Sequence, residues 1–295
     1  MKADAINFED RAVAFLDILG FKTFIRKAEV NVSDENRKLC DLKAVIEAEL
    51  DVSGFQINLK PTCTYISDSV ILSAPVCDND YSGLVGVAIK TIQIAHQLLG
   101  MEFLVRGGIS VGKAAHTASN IYGSGYQNAH ETEKDKAINP RILLDEEAAK
   151  VLNNNNAYQG CKIRELSTFL KEGNDWIVDT LNPHSSYIGN NIDDPSSLFE
   201  AYKNTIIKNL QKFPLGCKVR GKWEWMAGFF NDRLIRYQGD IRNVEQIELP
   251  MPPTHFRQGG VDDENGFDWM APFMAPSHPV TLNAPSSSDG HCEKS

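Results

Sequence analysis

The 295-residue sequence has no apolar window that approaches the roughly 20 residues needed by a membrane-spanning helix. Its six cysteines form no CxxC pair, and their spacing indicates no zinc site. A reduced cysteine in apolar surroundings behaves as a small hydrophobe, so this usage is typical of a reducing compartment. The first residues, MKADAINFEDR, are polar and acidic. We therefore expect no signal peptide and a cytoplasmic location.

Positive charge is also scarce. The 30 lysines and arginines are outnumbered by 39 aspartates and glutamates, which gives a formal net charge of -9 at pH 7. This balance argues against a general nucleic-acid-binding surface, because such a surface needs clustered lysine and arginine. It leaves room for a small anionic ligand held through metal ions. The hydrophobic content of 42% is enough for one large core.

The composition changes near Leu249. Seven of the 13 prolines follow it, and the sequence closes with the polar stretch APSSSDGHCEKS. This composition is typical of a disordered segment. We therefore predict a domain over residues 8–248 and a Pro/Ser-rich tail over residues 249–295. Within the tail, FDWMAPF (267–273) is apolar, and two interpretations stay open: a contact folded back onto the domain, or a short motif for a partner.

Hydrophobic periodicity predicts that strands and helices alternate in the body. A continuous apolar run over Ala12–Leu16 predicts a strand that is buried on both faces. Further strands are predicted at 55–59, 70–74, 103–111, 141–145, 162–169 and 175–178, with turns at 67–69 and 112–120. Helices are predicted at 21–30, 34–50, 81–99, 125–136, 146–152, 196–212 and 219–236. This mixture, which includes hairpin pairs, indicates an α+β fold with a mixed, largely antiparallel sheet.

Two aspartates interrupt apolar stretches. Asp17 ends the predicted strand in VAFLDILGF, and Asp68 lies in the predicted turn of YISDSVILSA. If the strands around Asp68 flank the first strand, both carboxylates face one spot, where two like charges are unstable unless a cation lies between them. Mg²⁺ or Mn²⁺ suits such a site, since both prefer carboxylate and phosphate oxygen. Taken alone, each aspartate has a plainer interpretation as a helix cap or turn former.

The residues after Asp17 add a second feature. Gly20 permits a tight turn, and a helix is predicted to begin at Phe21. Backbone N–H groups at a helix start favour phosphate. Together with the paired carboxylates, this predicts a nucleoside triphosphate site that uses two metal ions.

The order of the motifs resembles a known superfamily. VAFLDILGF is followed by ISDSV, then by RGGISVG (106–112), then by YGSGY before a predicted helix. This order resembles that of class III nucleotidyl cyclases, which implies a ferredoxin-like palm core with flanking helices. The stretches 121–133 and 139–144 and the closing VRGKWEWMAGFFN (219–231) are more similar to one branch, the bacterial pyrimidine cyclases of the Pycsar antiphage system. The resemblance covers about residues 12–232.

The resemblance implies roles for particular residues. Asp17 and Asp68 match the two metal-binding aspartates, and Ile18 matches the position whose backbone carbonyl completes a site for Mn²⁺ or Mg²⁺. The turn whose N–H groups hold the triphosphate matches Leu19, Gly20 and Phe21. The resemblance also implies a head-to-tail homodimer with shared active sites, and a diffusible cyclic nucleotide that a separate effector reads.

Some positions depart from the purine cyclases. The helix positions where those enzymes place Asn and Arg, to steer the ribose and stabilise the transition state, are Gln127 and Glu131 here. The position of their base-reading lysine is Thr64, and Tyr65 follows it. These changes argue against adenylate or guanylate cyclase activity. They fit a smaller base that is read by the hydroxyl of Thr64 or Tyr65.

The source of positive charge for the transition state stays open. Arg106 is the candidate catalytic cation, Arg141 is a candidate substrate contact, and Lys222 of the last helix is a third possibility. For each of them, the plainer interpretation as a structural or surface cation is favoured over the functional one. His116 and His130 are interpreted as satisfied or surface histidines rather than as bases.

These features predict an enzyme that converts UTP to 3′,5′-cyclic UMP and pyrophosphate as an antiviral second messenger. CTP is the alternative substrate, since a hydroxyl can serve either base. A second alternative is a catalytically inactive nucleotide-binding regulatory module. Gln127 and Glu131 make it credible, while the presence of both Asp17 and Asp68 opposes it. An enzyme that makes dinucleotides is less favoured, because the GGDEF-type signature of diguanylate cyclases is absent.

Overall fold

The computed structural model describes residues 6–30, 34–49, 61–76, 82–117, 119–154, 168–183 and 195–249. These residues form eight strands: β1 (Glu9–Leu19), β2 (Thr62–Ile66), β3 (Ser69–Pro75), β4 (Leu104–His116), β5 (Ile121–Tyr122), β6 (Ile142–Leu144), β7 (Phe169–Glu172) and β8 (Asp175–Val178). They also form seven helices: α1 (Phe21–Val30), α2 (Asp34–Glu47), α3 (Ser82–Gly100), α4 (Ser124–Lys136), α5 (Glu146–Asn154), α6 (Pro195–Lys212) and α7 (Lys218–Arg236). None of these helices is long and apolar enough to cross a membrane.

The sheet is organised around β1. Its strand order is β2-β3-β1-β4-β6-β8-β7, and β5 pairs with β4. β1 is antiparallel to both β3 and β4, β2 is antiparallel to β3, and β4 is parallel to β6. The first four strands and the helices between them therefore form a β-α-β-β-α-β unit with the order β4-β1-β3-β2, which is the ferredoxin-like arrangement. The predicted α+β fold with a mixed, largely antiparallel sheet is confirmed.

The apolar run in β1 is buried on both sides, as its sequence predicted. Ala12, Ala14 and Leu16 face the core formed with α1, α2 and α3. Val13 and Phe15 point to the other face, which α4 covers. Because successive side chains of a strand alternate between faces, Asp17 lies on the same face as Phe15 and therefore on the side of α4.

Gly108 sets how closely α4 approaches the sheet. A Cβ atom at this position would overlap the carbonyl oxygen of Ala129 and would lie 2.8 Å from the amide nitrogen of Glu133. The backbone of α4 therefore lies directly on β4. Beside this contact, the ring of His130 lies against that of Phe15, with a centroid separation of 4.8 Å.

Three predicted boundaries in the palm core are corrected. β1 runs to Leu19, so Asp17 lies within the strand and not at its end, because both neighbouring strands still pair with it there. β4 continues to His116 where a turn from Gly112 was predicted, because residues 112–114 pair with the start of β1 and residues 115–116 pair with β5. Asp145, predicted to end a strand, follows β6 and instead caps α5 by accepting the amide N–H of Ala148 at 2.8 Å.

The turn predicted at 67–69 is present, but its strands differ from the prediction. β2 and β3 are joined through Ser67 and Asp68, and Ser67 has a positive φ of 57°. The predicted strand at 55–59 lies outside the described residues, and the partner of β3 is Thr62–Ile66. Most of the strand predicted at 162–169 and all of the tail after Leu249 also lie outside them.

A second core joins the far edge of the sheet to α6 and α7. Phe199, Trp223 and Phe230 are buried there together with Leu104 of β4. The start of α7 is attached to the end of α6 by Arg220, which donates to the carbonyl oxygens of both Leu210 and Phe213. The helix that closes the described chain therefore has a fixed position against the sheet.

We expect Gly108→Ala to lower the free energy of unfolding by about 1–3 kcal/mol, because the new methyl group would force α4 away from β4. Chemical denaturation followed by circular dichroism measures this change. The matched control is Gly221→Ala in α7, where a Cβ meets nothing within 4 Å. It should leave stability unchanged or raise it, since alanine favours a helix. Equal stability of the two variants would contradict the tight contact at Gly108.

Candidate active site

Asp17 and Asp68 lie beside each other at one end of the sheet. Asp17 is directly opposite Ser69 in the pairing of β1 with β3, so Asp68 adjoins its partner residue. The amide N–H of Ile18 also donates to the carbonyl oxygen of Asp68 at 2.9 Å. Both aspartates are half-buried. The structure thus brings the two residues together, while their role as metal ligands stays a prediction.

The turn after β1 places a helix start close to this pair. Gly20 has a φ of +84°, a conformation that glycine adopts without the strain a side chain would introduce. Its carbonyl accepts the amide N–H of Phe24 at 3.2 Å, and Phe21 is buried at the first position of α1. Leu19 packs against the second core. The first turn of α1 carries no acidic residue, so its positive dipole end is not offset by a carboxylate there.

Arg106 binds Asp17 directly. The two residues are opposite each other in the pairing of β1 with β4, and the Arg106 Nε–H donates to Asp17 Oδ2 at 3.0 Å. A second N–H of Arg106 donates to the carbonyl oxygen of Ala137 at 3.4 Å. The candidate catalytic arginine is therefore held by β1 on one side and by the end of α4 on the other.

Glu133 of α4 completes this cluster, although no role was predicted for it from the sequence. Its Oε1 atom lies 2.8 Å from Arg106 Nε, and its side chain is only 5% exposed. Burial raises the pKa of Glu133, the charge of Arg106 lowers it, and the nearby carboxylate of Asp17 raises it further. The glycine pair after Arg106 was the one sequence feature that could have indicated a helix packed closely on β4 at this point, because a glycine in a strand often marks the close approach of another element.

Lys222 of α7 lies near the same charges. Burial lowers the pKa of Lys222, the charge of Arg106 lowers it further, and that of Asp17 raises it. Its neighbour Trp223 is buried in the second core, together with Ala137, whose carbonyl accepts from Arg106. Among the described residues, none forms an ion pair with Lys222. The structure therefore adds a half-buried ammonium group to the site.

Thr64 lies on the same face of the sheet as Asp17, within a chain of hydrogen bonds. Arg11 Nε donates to Ser73 Oγ at 2.8 Å, and Ser73 Oγ lies 2.7 Å from His116 Nδ1. His116 Nε2 lies 2.9 Å from Thr64 Oγ1, which donates to the carbonyl of Thr117 at 3.2 Å. Because the one hydroxyl hydrogen of Thr64 goes to Thr117, Thr64 accepts from the Nε2–H of neutral His116, and Nδ1 then accepts from Ser73. His116 is thus a structural neighbour of the candidate base-reading residue.

The other candidate contacts point elsewhere. Tyr65 lies on the opposite face of β2 from Thr64, and its hydroxyl donates to Glu47 of α2 at 2.7 Å. Arg141 precedes β6 and pairs with Glu172 of β7 at 2.6 Å. The structure does not bring either side chain to Asp17, so their substrate contacts stay predictions. Two α4 positions that differ from the purine cyclases, Gln127 and Glu131, are exposed.

The donors around Asp17 suit a hard divalent cation that keeps part of its water shell. Within the described ranges, no cluster of three or more His, Cys, Asp or Glu residues could hold a metal by itself. Two carboxylates and the backbone carbonyl of Ile18 would leave several positions for water and substrate phosphate, as Mg²⁺ requires. One oxygen of Asp17 is already engaged by Arg106, so metal binding and this ion pair are linked.

Comparisons with known proteins give fold-level likenesses. No family model matches the sequence, and no curated protein matches it. The structure is similar to the monomeric guanylyl cyclase domain of the RhoGC fusion protein from the aquatic fungus Blastocladiella emersonii, at 14% identity over 58% of this chain and 95% of that domain, with a TM-score of 0.34. It is also similar to the catalytic core of a rhodopsin-guanylyl cyclase with converted specificity in complex with ATPαS, at 14% identity over 58% and 96% of the chains, with a TM-score of 0.35. The ferredoxin-like assignment rests on the strand order of this chain itself.

The histidine beside Thr64 makes stability depend on pH. Burial, and then the charge of Arg11, lowers the pKa of His116 to about 4 in the folded protein. The unfolded chain, with the ordinary pKa of about 6.5, therefore binds more protons between these values. The free energy of unfolding should fall as the pH drops from about 6.5 towards 4.

Denaturant titrations at several pH values measure this effect. His116→Gln keeps a neutral donor and acceptor but removes the titration. The free energy of unfolding of the variant should therefore depend less steeply on pH between about 6.5 and about 4, by an amount that corresponds to at most one bound proton. His96, whose pKa burial also lowers to about 4, contributes equally to both proteins. Identical slopes for the variant and the wild type would show that His116 is not held neutral by its surroundings.

Proposed function

We propose that the protein is a pyrimidine nucleotide cyclase that converts UTP to 3′,5′-cyclic UMP and pyrophosphate, as an antiviral second messenger that a separate effector reads. The observation that carries the proposal is the position of Asp17 beside Asp68, next to the Gly20 turn and the start of α1. Paired carboxylates and a helix N-terminus together provide for a divalent cation and for phosphate, which are the two needs of a nucleoside triphosphate. The motif order of class III nucleotidyl cyclases supports the same proposal.

Asp17, Asp68 and the carbonyl of Ile18 would hold Mg²⁺ or Mn²⁺. When bound, such an ion lowers the pKa of an attacking hydroxyl and neutralises developing phosphate charge. The residues of the chain then have separate tasks. Asp17 and Asp68 would hold the divalent cation that the triphosphate binds, and the amide N–H groups of residues 19–21 would donate hydrogen bonds to phosphate oxygens, because a helix start presents N–H groups that lack intrahelical partners.

In the proposed reaction, the ribose 3′-oxygen forms a bond with the α-phosphorus as the bond to the bridging oxygen breaks, and pyrophosphate leaves. The 3′-hydroxyl proton passes to solvent. Negative charge grows on the leaving group, so fixed cations near it stabilise the transition state. Lys222 is the candidate for that role, since Arg106 is already engaged by Asp17 and Glu133. The protein mainly positions the reacting groups.

Thr64 is the candidate reader of the base. It shares the sheet face of Asp17, and His116 and Thr117 fix the orientation of its hydroxyl. UTP is favoured over CTP as the substrate. We also propose the head-to-tail homodimer with shared active sites that the motif resemblance implies. Ile66, exposed at 66% beside Asp68, gives an apolar surface near the site. If the purified protein sediments as a monomer under conditions in which it is fully active, active sites shared between two subunits are ruled out.

An inactive nucleotide-binding regulatory module is the second candidate function. One observation favours it: Asp17 already has a cationic partner in Arg106, as expected for a carboxylate with a structural role. The exposed Gln127 and Glu131, which replace the catalytic pair of the purine cyclases, point the same way. Such a module would bind nucleotide without converting it.

One assay separates the two candidates. Purified protein is incubated with Mn²⁺ and, separately, with UTP, CTP, ATP and GTP, and the products are identified by mass spectrometry. We expect cyclic UMP and pyrophosphate from UTP. Cyclic CMP from CTP would instead establish the cytidylate alternative. Asp68→Ala should abolish turnover, because it removes one of the two carboxylates that hold the ion.

The matched control is Asp135→Asn, which removes an exposed carboxylate of α4 and should retain activity. Turnover that survives Asp68→Ala would refute the metal assignment. The assay is repeated in lysate from phage-infected cells, which supplies any trigger. If the wild type binds nucleotide but forms no product in either assay, the regulatory module is favoured.

Lys222→Met should reduce kcat roughly 100-fold, as expected when one group that stabilises transition-state charge is removed. Lys222→Arg should keep part of the activity, because the charge is retained. Steady-state kinetics with UTP measures both variants. Lys218→Met is the control, since Lys218 lies one turn earlier on α7 and is exposed. Equal loss in the Lys218 and Lys222 variants would show that only the overall charge of α7 matters.

A further inference from the structure

One guanidinium group lies between two carboxylates that come from different elements. Arg106 Nε is 3.0 Å from Asp17 Oδ2 on β1 and 2.8 Å from Glu133 Oε1 on α4. Only the contact with Asp17 has the alignment of a hydrogen bond. Glu133 Oε1 is buried and has no hydrogen-bond partner. The side chain next to Arg106 therefore has an unused acceptor.

An unused acceptor on a buried carboxylate is unfavourable, so its presence calls for an explanation. Glu133 is held in place by backbone geometry, because Gly108 allows α4 to lie directly on β4 at this point. The side chain cannot turn to water, since it is only 5% exposed. The nearest donor available to it is the guanidinium of Arg106.

Asp17 has two competing uses for its carboxylate. In the structure its Oδ2 accepts from Arg106, whereas the proposed reaction needs this carboxylate for a divalent cation. A divalent cation on Asp17 repels the guanidinium strongly at such short range. Glu133 is already within contact distance of Arg106, so the guanidinium can leave Asp17 without losing a negative partner.

We propose that Arg106 is a counter-ion exchanged between Asp17 and Glu133. It neutralises Asp17 while no divalent cation is bound, and Glu133 takes over its hydrogen bond when the cation arrives. Glu133 is then a positioning residue for the metal site, because it determines how readily Asp17 is released. The inference rests on the proposed function only in that Asp17 binds a divalent cation.

The test measures binding of Mn²⁺ alone to the full-length protein, without nucleotide, from the electron paramagnetic resonance signal of free Mn²⁺. Glu133→Gln removes the negative charge of the alternative partner of Arg106, so the Kd for Mn²⁺ should rise about 10-fold or more, the effect seen when a group that supports a metal ligand is lost. Arg106→Gln removes the competitor and should lower the Kd below that of the wild type.

The double variant Arg106→Gln/Glu133→Gln distinguishes exchange from a structural role. Exchange predicts that losing Arg106 rescues the Glu133 variant, so Mn²⁺ binding returns to the wild-type level or tighter. A merely structural role predicts that the double variant binds no better than Glu133→Gln. The non-additivity of the cycle is the diagnostic quantity. If Glu133→Gln does not fold, Arg106→Gln alone still decides, since weaker Mn²⁺ binding in that variant overturns the proposal.

Two controls complete the design. Asp135→Asn removes a nearby exposed charge of α4, and its Kd should stay close to that of the wild type. Asp17→Asn should abolish the binding that the cycle reports. Absence of Mn²⁺ binding in the wild type overturns the exchange. If the four proteins show the expected differences in Mn²⁺ binding but the wild type converts no nucleotide, the exchange of Arg106 is supported and the proposed cyclase function is refuted.

Discussion

The register of β1 between two antiparallel neighbours determines where every polar group of the site lies. One pairing puts Asp17 opposite Ser69 and brings the Asp68 turn alongside, and the other pairing puts Asp17 opposite Arg106. A shift of one residue would turn Asp17 into the apolar core and expose Leu16 instead. The two faces of the run pack differently, with Ala12 and Ala14 against one core and the larger Val13 and Phe15 against the other, so side-chain size opposes that shift and also sets the geometry of the charges.

Charge balance is the second constraint on the site. Asp17, Asp68 and Glu133 are negative, while Arg106 and Lys222 are positive, and each of the five comes from a different part of the fold. Like charges this close need cations among them, and the protein supplies them from β4 and α7. Burial makes the balance matter more, because the interior screens charge less well than water. A polyanionic ligand that brings its own divalent cations would change this balance at every group at once.

The sequence predicted the parts of the fold that depend on local patterns. The apolar run of β1, the turn at 67–69 and the helices on either side of the sheet follow from periodicity and turn chemistry. The predicted end of β4 was wrong because glycine at position 112 favours a turn, whereas pairing with the start of β1 and then with β5 keeps the chain extended to His116. The convergence of Asp17 and Asp68 was anticipated through motif order. Glu133 was missed because the polar surroundings of α4 suggest a solvated face, and only the contact at Gly108 buries it.

The position of Lys222 has a consequence for the order in which the site is assembled. Asp17, Asp68 and Arg106 belong to the palm core, but Lys222 lies on α7, the last helix of the described chain. Arg220 attaches α7 to the end of α6, so the position of the ammonium group depends on the packing of both helices. Because synthesis runs from the N-terminus, β1 to β4, with both aspartates and the arginine, are complete before Lys222 has been added to the chain. The carboxyl-terminal helical pair therefore acts as the final component of the site, and the folded core that precedes it is electrostatically incomplete.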